Sequence, residues 1–89
     1  MRESDIEKYL HDRVRELGGD YRRCQWIGAN NAQDDFIRLP GRHLWVECKR
    51  PGKRVTPAQA RERDRMRAAG CEVHEVNSTA EIDAILPKP

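Results

Sequence analysis

The chain has 89 residues, 37% hydrophobic and 36% charged, with a formal net charge of +2. This length supports one small core, so we predict a single domain over residues 1–89. The three cysteines form no CxxC pair and no zinc-binding spacing with the histidines, and no apolar stretch has the length of a membrane span. A disulfide scaffold and a membrane protein are therefore excluded, and free thiols in a cytoplasmic protein are expected.

The first part of the chain predicts a helix followed by a strand. Residues 3–17 carry apolar side chains at every third or fourth position, the spacing of an amphipathic helix. The Gly18-Gly19 pair that follows is a typical helix stop. Residues 21–28 then predict the first strand.

The rest of the chain predicts a hairpin, a helix, a strand and a last helix. Residues 34–39 and 43–49 are strand-like and are separated by a Pro-Gly-Arg turn. The sequence Thr-Pro-Ala-Gln is a good helix start and predicts a helix over 56–69. Residues 71–76 predict the last strand, and 78–86 predict a short C-terminal helix.

These elements follow one another in the order α-β-β-β-α-β-α. A helix that connects two neighbouring strands makes them parallel, whereas a tight turn makes them antiparallel. The predicted fold class is therefore α/β, with a mixed β-sheet flanked by helices.

The hairpin carries charged side chains on one face. Side chains alternate along a strand, so Glu47 and Lys49 point to the same side. A two-residue Pro-Gly turn gives paired residue numbers that sum to 81 and places Asp34 opposite Glu47. A turn with an odd number of residues would place Asp35 there instead. The sequence leaves both registers open and favours Asp34.

Two opposed carboxylates repel each other unless a proton or a cation lies between them, and a divalent metal ion is the simplest solution. Asp34, Glu47 and the carbonyl of Cys48, together with waters, offer the oxygen ligands that Mg²⁺ prefers. Lys49 would orient or deprotonate a nucleophile that attacks a phosphodiester, or stabilise the developing anion. The structural alternative is a surface hairpin on which Glu47 and Lys49 only form an ion pair.

The stretch NAQDDFIRLPGRHLWVECKRPGKRVTPAQ resembles the VRR-NUC domain of the PD-(D/E)xK nucleases, and the similarity extends over nearly the whole chain. The family pattern has an aspartate, a Leu-Pro-Gly turn, a Val-Glu-x-Lys strand and a Pro-x-Gln helix start. Aligning the turns places Asp34 at the family aspartate, with Gln33 in place of the preceding proline and Asp35 as an extra acid. The resemblance implies a restriction-endonuclease-like core and a metal-dependent endodeoxyribonuclease that uses Mg²⁺, for which Mn²⁺ substitutes.

The resemblance also implies site residues outside the hairpin. It brings an acid of the first helix to the metal, and we prefer Glu7 to Glu3 because Glu7 lies further into the helix. It makes Gln59 an active-site residue, although Gln59 also suits a capping box with Thr56. The predicted catalytic residues are Asp34, Glu47, Lys49, Gln59 and Glu7, and the predicted metal ligands are Asp34, Glu47, Cys48 and Glu7.

The basic residues concentrate between positions 49 and 67, which favours a polyanionic partner, although ion pairs along a solvated helix would give the same pattern. Trp26 and Trp45 are predicted to pack on the sheet rather than to stack on bases. The residues predicted to contact DNA are Arg50, Lys53, Arg54, Arg61 and Arg65.

The small stand-alone proteins that the chain resembles are phage and bacterial homodimers that cleave branched DNA. The resemblance therefore implies a cytoplasmic, phage- or bacterium-encoded Holliday-junction resolvase that acts as a homodimer. Two alternatives stay open. One is a flap, duplex-repair or nicking nuclease with the same active site, and the other is a non-catalytic nucleic-acid-binding module with the same fold.

Overall fold

The computed structural model describes residues 1–26 and 35–89. Its elements follow the predicted order α-β-β-β-α-β-α, and the α/β fold class is confirmed. None of the helices in these two ranges is long and apolar enough to cross a membrane. All three cysteines are free, as expected. The elements are α1 (Glu3–Glu16), β1 (Asp20–Arg23), β2 (Asp35–Leu39), β3 (Arg42–Cys48), α2 (Pro57–Ala68), β4 (Val73–Val76) and α3 (Thr79–Ile85).

The four strands form one mixed sheet in the order β1-β2-β3-β4. β2 pairs antiparallel with β1 and with β3, whereas β3 and β4 are parallel, as the connecting helix predicts. The first strand is shorter than predicted. It ends at Arg23, which pairs with Asp35, and residues 24–26, which were predicted as strand, lie outside it. The last two predicted positions, 27 and 28, lie outside the described residues.

The turn between β2 and β3 has two central residues, Pro40 and Gly41. Gly41 has a φ of +74°, which a glycine adopts without strain, and proline before it is typical of a type II turn. Leu39 therefore pairs with Arg42, and Asp35 pairs with Val46. The alternative register, with Asp35 opposite Glu47, is wrong. Asp34 lies outside the described residues.

The hydrophobic core lies between one face of the sheet and the helices α1 and α3. Alternation along β3 directs Leu44, Val46 and Cys48 into this core, which leaves Trp45 and Glu47 on the opposite face. Met66 of α2 and Val73 of β4 are buried outside this cluster. The core cluster consists of Ile6, Leu10, Val14, Ile37, Leu39, Leu44, Val46, Cys48, Val76, Ile82 and Leu86.

A Schellman motif ends α1 and leads the chain into β1. The amide of Gly18 donates to the carbonyl of Arg15, and the amide of Gly19 donates to the carbonyl of Val14, both at 3.0 Å. Gly19 also passes close to β2, because a Cβ at this position would lie 2.3 Å from the backbone oxygen of Arg38. The absence of a side chain at Gly19 therefore allows α1 to lie against the sheet.

We expect Gly19→Ala to lower the free energy of unfolding by about 3 kcal/mol, since the added methyl group overlaps backbone that cannot move aside. Gly18→Ala is the matched control. Its Cβ meets nothing within 4 Å and only has to tolerate the φ of +78°, so the expected loss is about 1 kcal/mol. Urea unfolding measures both losses. An equal loss in the two variants would contradict the close packing of Gly19 on β2.

Candidate active site

Glu47 and Lys49 lie at the end of β3, on the face of the sheet opposite the core. Glu47 is only 5% exposed, and its Oε1 lies 3.3 Å from the Nζ of Lys49. A buried carboxylate is stable only beside a positive charge or hydrogen-bond donors. Because Glu47 is buried, the pair differs from an ion pair on a surface hairpin, the structural alternative that the sequence left open. In the parallel register Glu47 is the partner of Glu75, so both carboxylates point to the same face.

A second group of ionisable side chains lies where α1 meets the start of β2. Asp35 is fully buried, and its Oδ1 lies 3.1 Å from the Nε2 of His11. Glu7 is hydrogen-bonded to Asp35 as well. Glu7 and His11 are four residues apart and so lie on the same side of the helix. One ligand atom from each of the three residues lies within 4.8 Å of the other two, a spacing that one metal ion would span.

Burial sets the protonation of this group at neutral pH. It raises the pKa of Glu7 to about 7, with a further contribution from the hydrogen bond and negative charge of Asp35, and Arg23 at 3.3 Å opposes the shift only in part. Burial also lowers the pKa of His11, whose ring stacks on that of Tyr21 at 3.5 Å. The imidazole of His11 is therefore neutral, and Glu7 shares its proton with the carboxylate of Asp35.

The two groups meet around Cys48, the last residue of β3. Burial raises the pKa of its thiol, and negative charge adds to the effect. The charges responsible come from both faces of the sheet, so negative potential converges on this end of β3 and favours a cation there. The contributing carboxylates belong to Asp35, Glu7, Glu47 and Glu3.

The loop after β3 is tied to the neighbouring elements. The amide of Lys49 donates to the carbonyl of Val76 at 2.8 Å, which extends the β3–β4 pairing by one residue. Further along, the amide of Val55 donates to Oε2 of Glu75 at 3.3 Å, and the side-chain amide of Asn77 donates to the carbonyl of Lys53 at 3.0 Å. These bonds fix the path of the loop that connects Lys49 to α2.

The basic residues predicted to contact DNA are all exposed. Arg54 lies 3.3 Å from Glu81, and Arg65 lies 2.7 Å from Glu62 on the same helix. Exposed ion pairs of this kind contribute little stability, so phosphate oxygens would replace the carboxylates at small cost. The five exposed residues are Arg50, Lys53, Arg54, Arg61 and Arg65.

Gln59 takes part in the capping box that starts α2. Its Oε1 accepts a hydrogen bond from the amide of Thr56 at 2.9 Å, and its own amide donates to Oγ1 of Thr56 at 3.2 Å. This is the structural role that the sequence left open beside the catalytic one. The catalytic role of Gln59 stays a prediction.

The sequence predicted Glu7 as a site residue but did not predict that His11 and Asp35 lie beside it. Asp35 was considered only as the alternative partner of Glu47 in the hairpin and as an extra acid, and the histidines were considered only for a zinc site. The i, i+4 spacing of Glu7 and His11 was the available signal, whereas the contact of His11 with Asp35 joins residues 24 positions apart. Glu3, the alternative acid of α1, is exposed. The predicted ligand Asp34 lies outside the described ranges.

Comparison with known proteins identifies the family. No family model matches the chain. A phage protein named Putative nuclease p44, from Acyrthosiphon pisum secondary endosymbiont phage 1, is 39% identical over 88 residues, which are 98% of this chain and 94% of that protein. A solved structure described as a VRR_NUC domain superposes with a TM-score of 0.86 and 33% identity over 93% of this chain and 91% of that one. The chain belongs to the VRR-NUC nuclease family.

The resemblance that rested on the Leu-Pro-Gly turn and the Val-Glu-Cys-Lys strand is thus confirmed. The protein is a nuclease domain of VRR-NUC type, a hydrolase that acts on nucleic acid. The buried Glu47 and its neighbour Lys49 occupy the Glu-x-Lys positions of the family pattern.

We expect Glu7→Gln to stabilise the protein above pH 7 and to leave its stability unchanged at low pH. The folded protein holds the Glu7 proton up to a pKa of about 7, whereas the ordinary pKa of a glutamate side chain is 4.5. Between these two pH values the folded state binds more protons than the unfolded state, so wild-type stability falls as the pH rises. Glutamine has no proton to lose and avoids this fall.

Urea unfolding of wild type and Glu7→Gln across this pH range measures the difference. Glu3→Gln, one turn earlier and exposed, is the control and should follow wild type. Parallel pH profiles for Glu7→Gln and wild type would contradict the shared proton between Glu7 and Asp35.

Proposed function

We propose that this protein is a magnesium-dependent, structure-specific DNA endonuclease, and that it acts as a homodimeric Holliday-junction resolvase. The observation that carries the proposal is the burial of Glu47 beside Lys49, at the point where negative potential converges, in a chain of the VRR-NUC family. A buried carboxylate, a lysine and a favoured cation position are the parts that metal-assisted phosphodiester hydrolysis requires.

The donor set fits a hard divalent cation such as Mg²⁺, with Mn²⁺ as a substitute, because its ligands are oxygen atoms. We propose Glu47, Glu7, Asp34 and the carbonyl of Cys48 as the ligands. Asp34 is assigned from the family alignment and from the hairpin register, in which paired numbers sum to 81. When bound, such a cation would neutralise charge on the phosphodiester and activate the attacking water.

The other side chains of the site support the proposed cation position. Lys49 places a positive charge 3.3 Å from Glu47, where it would orient the nucleophile or stabilise the developing anion. Asp35 holds Glu7 by a hydrogen bond and is itself held by His11, so that the loss of the Glu7 proton frees a carboxylate that is already oriented. Neutral His11 adds no positive charge that would repel a cation.

Recognition of DNA by this chain would depend on backbone contacts and shape. The exposed arginines and lysines after β3 and along α2 suit phosphates, which carry no sequence information. A two-fold symmetric dimer would present two active sites to the two strands of a four-way junction. This is the argument for a resolvase over a nuclease that reads a sequence.

We expect Glu47→Gln to reduce cleavage by at least about 100-fold, because it removes a negative charge from the cation position. Binding of DNA without metal should persist, since no DNA contact is lost. Glu16→Gln, at the exposed end of α1, is the control and should cleave at the wild-type rate. Wild-type cleavage by Glu47→Gln would contradict the assigned site.

The preferred substrate is tested by comparing cleavage of a four-way junction, a flap and a linear duplex with Mg²⁺ or Mn²⁺. A resolvase cuts the junction fastest. Equal rates on all three would favour the repair or nicking nuclease, and an absence of cleavage would favour the binding module.

A further inference from the structure

A row of aromatic rings lies on the same face of the hairpin as Glu47. Phe36 and Trp45 are direct cross-strand partners with ring centroids 4.6 Å apart. The ring of Trp26 lies 5.0 Å from that of Trp45, at an angle of 47°, and the ring of His43 lies 5.7 Å from that of Phe36. The four rings form one continuous surface, which we call the aromatic row.

The aromatic row is open to solvent at Trp26. Trp45 is half-buried and packs on the sheet, as predicted, and Phe36 packs beside it, whereas Trp26, for which the same was predicted, is 38% exposed. Trp45 precedes Glu47 by two residues on the same face of β3, a distance of about 7 Å along the strand. The row is therefore continuous with the Glu47–Lys49 pair.

We propose that Trp26, supported by Trp45 and Phe36, stacks on an unpaired nucleobase of the DNA substrate and so places an adjacent phosphate beside Glu47 and Lys49. This inference rests on the proposed function, because it takes Glu47 and Lys49 as the cleavage site.

Both parts of a nucleotide, the base and the phosphate, would find a matching partner on this surface. A base has flat apolar faces that stack on indole and phenyl rings, and it is linked to an anionic phosphate. The aromatic row supplies the rings, and Lys49 and Arg50 supply positive charge at the end of the same strand. In a paired duplex the base faces are covered by neighbouring bases. The row therefore binds DNA where bases are unpaired, as at a bulge, a flap or an open branch point.

A second copy of the chain is the competing occupant, and the apolar area argues against it. Among the residues that the structure describes, the exposed large hydrophobic side chains are Met1 and Trp26. A stable dimer buries about 800 Å² on each partner, largely around an apolar centre. One tryptophan with two half-buried neighbours is too small for such a centre but is the right size for one base. The homodimer proposed above would therefore use a surface other than the aromatic row.

The test compares Trp26→Leu with Trp26→Phe, which keeps an aromatic face. Binding is measured without metal to two probes, a duplex that carries a short single-stranded bulge and the same duplex fully paired. We expect Trp26→Leu to weaken binding of the bulged probe about 10-fold and to leave the paired probe unchanged. Trp26→Phe should bind both probes as wild type does. In the Trp45→Phe protein, the bulged probe should quench the remaining Trp26 fluorescence.

Equal losses on the two probes, or no loss on either, would overturn the inference. It would also be overturned if Trp26→Leu dissociated a wild-type dimer in sedimentation while the preference for the bulge persisted, since a second copy would then cover Trp26. The proposed function fails separately. A protein that binds the bulge through Trp26 but cuts no DNA with Mg²⁺ or Mn²⁺ would refute the nuclease site and retain the base-stacking surface.

Discussion

Pro40 and Gly41 connect β2 and β3 with a turn of two residues, and the rest of the structure depends on the register that this turn sets. Because the side chains alternate, the register divides β3 into a core-facing set and an opposite set that contains Glu47. A slip by one residue would exchange the two sets and move the carboxylate into the hydrophobic core. Turn geometry thus determines both how α1 packs and where the candidate active site lies.

The buried carboxylates near the end of β3 lower the stability of the folded protein. Asp35 is fully buried, Glu47 is nearly so, and burial makes Glu7 hold a proton near neutral pH. Such buried carboxylates are unfavourable without a compensating positive charge. In the proposed nuclease reaction, that positive charge would also act on the phosphodiester. Lys49 provides part of the compensation, and a divalent cation would provide the rest. The aromatic row lies on the same face and, in our proposal, binds the base of a nucleotide whose phosphate lies at this position.

Much of this arrangement is readable from the sequence because it depends on local signals. The glycine pair, the Pro-Gly turn and the Thr-Pro-Ala-Gln helix start identify the elements and favour the hairpin register that the structure has. The end of β1 was predicted too late because pairing with another strand determines where a strand ends, and its own residues do not reveal that pairing. The contact of His11 with Asp35 was missed because it depends on how α1 lies across the sheet, which local sequence signals do not reveal either. Gln59 fits two roles by sequence, and the structure places it in the capping box.

A crystal structure of the protein with Mn²⁺ would show whether the cation binds at Glu47, because the anomalous scattering of Mn²⁺ locates the ion. The described residues offer two positions for it, one beside Glu47 and one among Glu7, His11 and Asp35. We expect an ion bound by Glu47, with Glu7 turned toward it. An ion held by His11 and Asp35 without contact to Glu47 would contradict this expectation.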